Sequence, residues 1–188
     1  MVSTKIAISG SFSVGKTTLC RSLVERMRGL GIRAEMMPES AREIVARGYH
    51  VDLEMSPTDV FAYISTQLAA ERTASTEGYV IADRCLLDLY AYLSSDINLP
   101  HLLDRGAICA SVEEMVWTRL HFYGRYVYVP PVLPVVGDGV RDFDPTRQQA
   151  FATAVLYAYD HFHIEPVVFD PLKGDMDMLV RDITVMKS

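Results

Sequence analysis

A short glycine-bounded stretch near the start of the chain has the residue types and spacing that can hold the phosphates of a nucleotide. It follows the pattern G-x-x-x-x-G-K-T, with the fixed positions filled by Gly10, Gly15, Lys16 and Thr17. The glycines let backbone N–H groups turn inward around phosphate oxygens, and the helix that starts near the lysine adds its positive N-terminal end. The lysine reaches the β- and γ-phosphates, and the threonine hydroxyl can ligate Mg²⁺. The stretch is a P-loop motif and predicts binding of ATP and Mg²⁺.

The sequence around this motif favours a real phosphate site over a chance match in a glycine turn. An apolar run, Lys5–Ser9, precedes the loop, and apolar residues recur at helical spacing after it. The residues expected to contact the nucleotide lie in the loop and in the first turn of that helix: Gly10, Ser13, Val14, Gly15, Lys16, Thr17 and Thr18.

Strands and helices alternate along the rest of the chain. The predicted strands are Lys5–Ser9, Ile32–Ser40, which runs into a loop at its end, Gly78–Asp83, Arg125–Pro131 and Ile164–Asp170. Helices are predicted between them, among them the long helix Ser56–Ser75, and a last helix is predicted from about Asp175. This order predicts an α/β fold of the P-loop NTPase class, a three-layer α/β/α sandwich with a mostly five-stranded parallel sheet.

Composition and charge limit the function classes. The chain has 188 residues, 49% of them hydrophobic, which suits a single domain over residues 1–188. Its net charge of −6 and the absence of a Lys/Arg run disfavour a long nucleic-acid footprint. No apolar run is long enough for a bilayer, no signal peptide is expected, and the three cysteines lack C-x-x-C spacing. We expect a cytoplasmic protein without a membrane partner, and a homodimer is left open.

Charged residues follow the third predicted strand at its carboxyl end, where such sheets bind their ligands. Asp83 ends that strand and is predicted to hold Mg²⁺ together with Thr17. Arg84 comes next and is predicted to touch a phosphate as a catalytic residue. The alternative for this pair is a salt bridge at a helix start, where an acidic residue is favoured anyway.

A second carboxylate follows the second predicted strand. Glu39 can accept the proton of an attacking hydroxyl, which is the role of a general base on the substrate side. The alternative is an acidic charge that stabilises the N-terminus of the next helix. Arg42, one helical turn later, either positions the acceptor or pairs with Glu39.

A loop rich in glycine and charge, Gly137–Arg147, joins a strand to a helix and is predicted to form a lid. Closure over ATP would bring Arg141 to the γ-phosphate as a catalytic arginine, with Arg147 as a further nucleotide contact. The alternative is a solvated turn in which Asp144 caps the next helix.

Two residues of the Ser56–Ser75 helix are candidates for binding the substrate. Tyr63 and Gln67 lie four residues apart, on one face of the helix, so an aromatic ring and an amide can stack on and read a nucleobase. The alternative, a half-buried helix face, has equal support.

Four segments in this order resemble the P-loop kinase domain of the NadR-like group: "GSFSVGKTT", "PESAREI", "ADRCLLDLYAY" and "DGVRDFDPTRQQAF". That group includes the nicotinamide riboside kinase part of bifunctional NAD-biosynthesis regulators, and a wider likeness extends to deoxynucleoside and thymidylate kinases. The resemblance runs from about Lys5 to Phe169. It implies that Glu39 and the Asp83–Arg84 pair lie at the acceptor hydroxyl and Mg²⁺, with Arg141 in the lid.

The motifs together predict an ATP-dependent kinase that transfers the γ-phosphate to a small nucleoside- or nucleotide-like acceptor. The identity of the acceptor does not carry over with the fold. Two alternatives are a kinase that acts on a modified nucleotide in phage DNA and a regulatory ATPase with a protein partner. A GTPase is disfavoured because no N-K-x-D stretch follows a strand.

Overall fold

The structure is a computed structural model, and it describes residues 4–74, 77–95, 97–133 and 144–185. Its strands are β1 (Thr4–Ser9), β2 (Ala34–Met37), β3 (Tyr79–Asp83), β4 (Tyr123–Tyr128) and β5 (Val167–Val168). Its helices are α1 (Lys16–Gly29), α2 (Ser40–Ala46), α3 (Pro57–Thr73), α4 (Leu86–Ser94), α5 (Arg105–Arg119), α6 (Pro145–His161) and α7 (Met176–Thr184). Two short 3₁₀ turns cover Asp52–Glu54 and Leu120–Phe122.

The strands form one parallel sheet in the order β2-β3-β1-β4-β5. β1 lies at its centre, and its residues Ile6, Ala7 and Ile8 are fully buried. A strand covered on both faces is a continuous apolar run, which explains the composition of this segment. The parallel five-stranded α/β fold predicted from the alternation of strands and helices is confirmed.

Helices cover both faces of the sheet. On one face, Ile6 and Ile8 share a core with Leu23 of α1 and Leu179 of α7. On the other face, Ala7 belongs to a core built with residues of α2 to α6. Successive residues of a strand point to opposite faces, so β1 contributes to both cores. None of the helices in the described ranges is long and apolar enough to cross a membrane.

The strands at both edges of the sheet are shorter than the sequence predicts. β2 keeps only four residues of the predicted strand, because Pro38 has no N–H to continue the ladder. β5 is reduced to two residues, and Pro166 directly precedes it. Val168, on this outer strand, is 64% exposed.

Candidate functional site

The carboxyl ends of β1, β2 and β3 meet at one edge of the sheet, where the P-loop, Glu39 and the Asp83–Arg84 pair lie. The loop after β1 uses backbone conformations that favour glycine, with φ of 149° at Gly10 and 85° at Gly15. A Cβ on Gly10 would lie 2.5 Å from the carbonyl oxygen of Val129. The first glycine of the motif is therefore required by close packing of two backbones, and the second by its left-handed backbone.

The side chain of Lys16 is folded beneath this loop. It is 6% exposed, and its Nζ donates a hydrogen bond to the carbonyl oxygen of Ser11. Burial, assisted by the Arg84 cation, lowers the pKa of Lys16 from 10.5 to about 7. A phosphate here would add a negative partner for the buried ammonium, so the arrangement suits a polyphosphate ligand.

Thr17 and Asp83 form a part of the edge that fits a divalent cation. The Thr17 hydroxyl donates to Asp83 Oδ2 at 2.5 Å. Asp83 Oδ1 is buried and has no hydrogen-bond partner among the described residues. Burial raises the pKa of Asp83, so the protein alone compensates this carboxylate incompletely. A hydroxyl and a carboxylate oxygen are ligands that suit Mg²⁺, and the two residues therefore fit the ion.

Arg84 connects the P-loop to the loop after β2. Its Nε donates to Glu39 Oε1 at 2.7 Å, and its Nη1 donates to the Gly10 carbonyl oxygen at 2.9 Å and to Asp88 Oδ1 at 3.1 Å. Burial opposes the charge of the guanidinium, but the carboxylates of Glu39 and Asp88 outweigh burial and raise the pKa of Arg84. These four residues, Gly10, Glu39, Arg84 and Asp88, are called the Arg84 bridge below.

A pocket opens beside the Arg84 bridge and is called the side pocket. It contains about 460 Å³ of free space, with the solvent at its open mouth included. Its walls carry four aromatic rings, three carboxylates and one guanidinium, from Phe12, Tyr63, Tyr92, Phe151, Glu39, Asp52, Asp88 and Arg84. Flat apolar walls around a few charged groups suit an aromatic ligand that also carries polar groups.

Only some of the predicted substrate residues line this pocket. Tyr63 lines it, and stacking of Tyr63 on a base stays a prediction. Arg42 is not among its lining residues; it is half exposed, with its Nε 3.4 Å from Glu39 Oε2, so the pairing alternative describes its geometry.

Gln67 lies below the side pocket and is not among its lining residues. It is 1% exposed and accepts a hydrogen bond from Ser40 Oγ at 2.8 Å, while its Nε2 donates to Glu71 at 3.2 Å. Glu71 in turn binds Tyr123 OH at 2.6 Å. The amide holds helices and strands together in this arrangement, and reading of a nucleobase by Gln67 stays a prediction.

Arg147 of α6 forms an ion pair with Asp52, whose carboxylate also accepts a hydrogen bond from Tyr92 OH at 2.6 Å. This contact places Arg147 against the side pocket, and its contact with a nucleotide stays a prediction. Asp144 accepts hydrogen bonds from the N–H groups of Thr146 and Arg147, so it caps α6. Arg141 and most of the predicted lid lie outside the described residues.

The remaining predicted loop contacts differ in exposure. Val14 is fully buried in a core, so only its backbone is available to a ligand. Ser13 has a positive φ of 58° and is partly buried, whereas Thr18 is exposed on the first turn of α1.

Three residues of the site are absent from the sequence-based prediction. Asp88 lies four residues after Arg84, and helical spacing was the available signal for this pair. Asp52 and Phe12 carry no local signal, because the folding of distant segments brings them to the side pocket.

Comparison with known proteins places these features in a family. A family model described as AAA domain matches residues 5–177. No curated protein sequence matches the chain. A structure of NadR protein in complex with NAD and AMP-PNP has a TM-score of 0.70 at 17% identity, covering 100% of this chain and 51% of that one. A structure of NadR protein in complex with NR has a TM-score of 0.74 at 22% identity, covering 98% and 52%.

Thymidylate kinase from Ehrlichia chaffeensis is also similar, with a TM-score of 0.62 at 13% identity and 97% of both chains covered. The chain spans about half the length of the NadR chains it matches. At these identities the structures show a shared fold. Because the family model covers most of its length, the chain belongs to the AAA domain family, with the fold of P-loop kinases related to NadR and thymidylate kinase.

Proposed function

We propose that the protein is an ATP-dependent kinase that transfers the γ-phosphate to a hydroxyl of a small nucleoside that carries no phosphate of its own. The observation that carries this proposal is the position of the side pocket, which shares Glu39, Arg84 and Asp88 with the bridge to the P-loop. An acceptor in this pocket is therefore next to the phosphate end of a bound nucleotide.

The charge of the side pocket supports an unphosphorylated acceptor. Among the described residues that line it, three are carboxylates and one is an arginine. That arginine is already bound by Glu39 and Asp88, and Arg147 at the rim is paired with Asp52. A phosphomonoester carries a charge of about −1.5 to −2 and would have to compete with these carboxylates for an arginine. A neutral or cationic nucleoside meets aromatic rings and hydrogen-bond acceptors instead.

Each residue of the site has a definite part in such a transfer. Lys16 and the inward N–H groups of the loop bind and orient the β- and γ-phosphates. Thr17 and Asp83 would hold Mg²⁺, which supplies charge neutralisation for the transferred group when bound. Glu39 accepts the proton of the attacking hydroxyl, and Arg84 fixes the orientation of Glu39 through its Nε.

The test is ATP consumption by the purified protein with panels of free nucleosides, including nicotinamide riboside, and of the matching nucleoside monophosphates. A single-stranded oligonucleotide serves as the polymer substrate, and Lys16→Met serves as the inactive control. We expect turnover with at least one nucleoside and much less with its monophosphate. Preference for a monophosphate or for the oligonucleotide would contradict the acceptor class, and turnover independent of any acceptor would favour the regulatory ATPase.

A further inference from the structure

We propose that Asp88 is a positioning residue that fixes the start of the P-loop relative to Arg84. Through Arg84, it also links the P-loop to Glu39. The proposal rests on the proposed function, because it takes ATP as the ligand of the P-loop. Asp88 is 2% exposed, and its carboxylate accepts four hydrogen bonds. The donors are Ser9 Oγ at 2.7 Å, Gly10 N at 3.3 Å, Arg84 Nη1 at 3.1 Å and Cys85 N at 3.1 Å.

These donors come from the ends of two different strands. Ser9 and Gly10 end β1 and begin the P-loop, whereas Arg84 and Cys85 follow β3. Gly10 is held at both of its polar groups, because its N–H donates to Asp88 and its carbonyl accepts from Arg84. The start of the P-loop is thus fixed by a carboxylate and by the arginine that the same carboxylate binds.

A second aspartate in the chain shows what a helix cap alone requires. Asp59 at the start of α3 and Asp88 at the start of α4 both occupy the third position of a capping box. Asp59 is also buried, but its donors, Ser56 and the N–H of His50, belong to the segment just before its own helix. Asp88 adds contacts to β1 and to Arg84, which helix capping does not need.

The direction in which Asp88→Asn changes nucleotide affinity distinguishes a positioning role of Asp88 from an effect of its charge. Asp88 is an anion close to the site of the phosphates, so neutralising it by Asp88→Asn would tighten nucleotide binding if charge alone mattered. Loss of alignment of the P-loop acts in the opposite direction and weakens binding. A small displacement at such a site has large consequences, since about 1 Å can cost on the order of 10²-fold in rate.

The experiment is isothermal titration of Mg·AMP-PNP into wild-type protein, Asp88→Asn, Ser9→Ala, Glu39→Gln, the double variant Asp88→Asn/Glu39→Gln, and Asp59→Asn as the matched capping control. We expect Asp88→Asn to weaken binding on the order of tenfold and Ser9→Ala to weaken it by about threefold. Asp59→Asn lowers the melting temperature and leaves the affinity within about twofold of wild type.

The double variant tests the link to Glu39. If both carboxylates act through Arg84, Glu39→Gln alone weakens binding by about fivefold, and the double variant binds no more than about twofold more weakly than Asp88→Asn alone, because the shared contact is already lost. Wild-type affinity in Glu39→Gln would overturn the link between the two residues. Equal or tighter binding by both Asp88→Asn and Ser9→Ala would overturn the proposal, as would an equal loss in Asp59→Asn. Additive losses in the double variant would overturn the link to Glu39.

If wild-type protein does not bind Mg·AMP-PNP at all, the proposed function itself fails. Should Asp88→Asn not fold, Ser9→Ala and its double variant with Glu39→Gln decide by the same criteria.

Discussion

Two buried cations at the same edge of the sheet are compensated in different ways. Lys16 donates to a backbone carbonyl, and burial lowers its pKa to about 7. Arg84 lies between two carboxylates, and those partners raise its pKa against the effect of burial. Charge on the P-loop side is therefore compensated less fully within the protein than charge on the Arg84 side. Substitutions on the two sides should consequently fail in different ways.

The largest effect is expected for Lys16→Met. Removing a group that stabilises the transferred phosphate should reduce kcat on the order of 10²–10³-fold with the best nucleoside of the acceptor panel. The free energy of unfolding should not fall, because a buried cation that forms no ion pair with a described carboxylate is replaced by an apolar chain of similar length. Steady-state kinetics and urea unfolding of the same preparations provide the measurements. Near-normal turnover in the folded variant would remove Lys16 from the site.

Arg84→Met should lose stability instead. It leaves the buried carboxylates of Glu39 and Asp88 without their common partner, and breaking a buried pair in this way costs about 3–5 kcal/mol. Urea unfolding monitored by circular dichroism measures the loss, with Lys16→Met as the matched cation variant. A loss below about 1 kcal/mol, or an equal loss in Lys16→Met, would erase the distinction between the two sides.

The charge balance on the P-loop side should also affect how much Mg²⁺ the protein needs for turnover. Asp83→Asn removes the charge of the carboxylate whose Oδ1 has no hydrogen-bond partner in the part of the chain that the structure describes, so the Mg²⁺ concentration for half-maximal turnover should rise on the order of tenfold or more. Titration of Mg²⁺ at saturating ATP provides the measurement. Asp177→Asn, at an exposed salt bridge to Arg26, is the control and should leave the requirement unchanged. An unchanged requirement in Asp83→Asn would assign the metal to other groups.

The smallest effect concerns pH. The pKa of Lys16 is lower in the folded protein than its ordinary value of 10.5, so between about pH 7 and 10 the unfolded chain binds the additional proton. Stability arising from this group then rises with pH, by at most about 1.4 kcal/mol per pH unit. Lys16→Met should lack this contribution, and saturating AMP-PNP should reduce it because phosphate keeps the lysine charged. Urea unfolding at pH 7, 8 and 9 compares the three samples, and identical slopes would contradict the buried state of Lys16.

The same contrast explains how much of the site could be predicted from the sequence. The P-loop is a local pattern, because the backbone conformation of a few consecutive residues requires its glycines. Lys16 and Thr17 follow these glycines at fixed spacing. Glu39 and Asp83 are predictable because they follow strands, and parallel strands end at one edge. The parallel sheet with helices on both faces likewise follows from the alternation of strands and helices, whereas the order of the strands within the sheet was not predicted.

The side pocket was not predictable in the same way. Asp52 reaches it from a 3₁₀ turn and meets Tyr92 of α4, forty positions away in the chain. Gln67 shares a helix face with Tyr63, but its amide is buried one turn further along and hydrogen bonded to Ser40, Glu71 and Tyr123. Spacing within a helix defines a face, and only the placement of the helix decides which part of that face meets the ligand.

The short outer strands have a consequence for how the molecule behaves in concentrated solution. A long, flat and apolar sheet edge offers unpaired N–H and C=O groups on which another chain can add a strand. Here one outer strand has two residues and the other has four, and each borders a proline. Val168 is exposed on the shorter of them, but a ladder of that length gives an incoming strand too few hydrogen bonds to extend the sheet. The geometry of its margins thus protects the folded chain against amyloid-like growth.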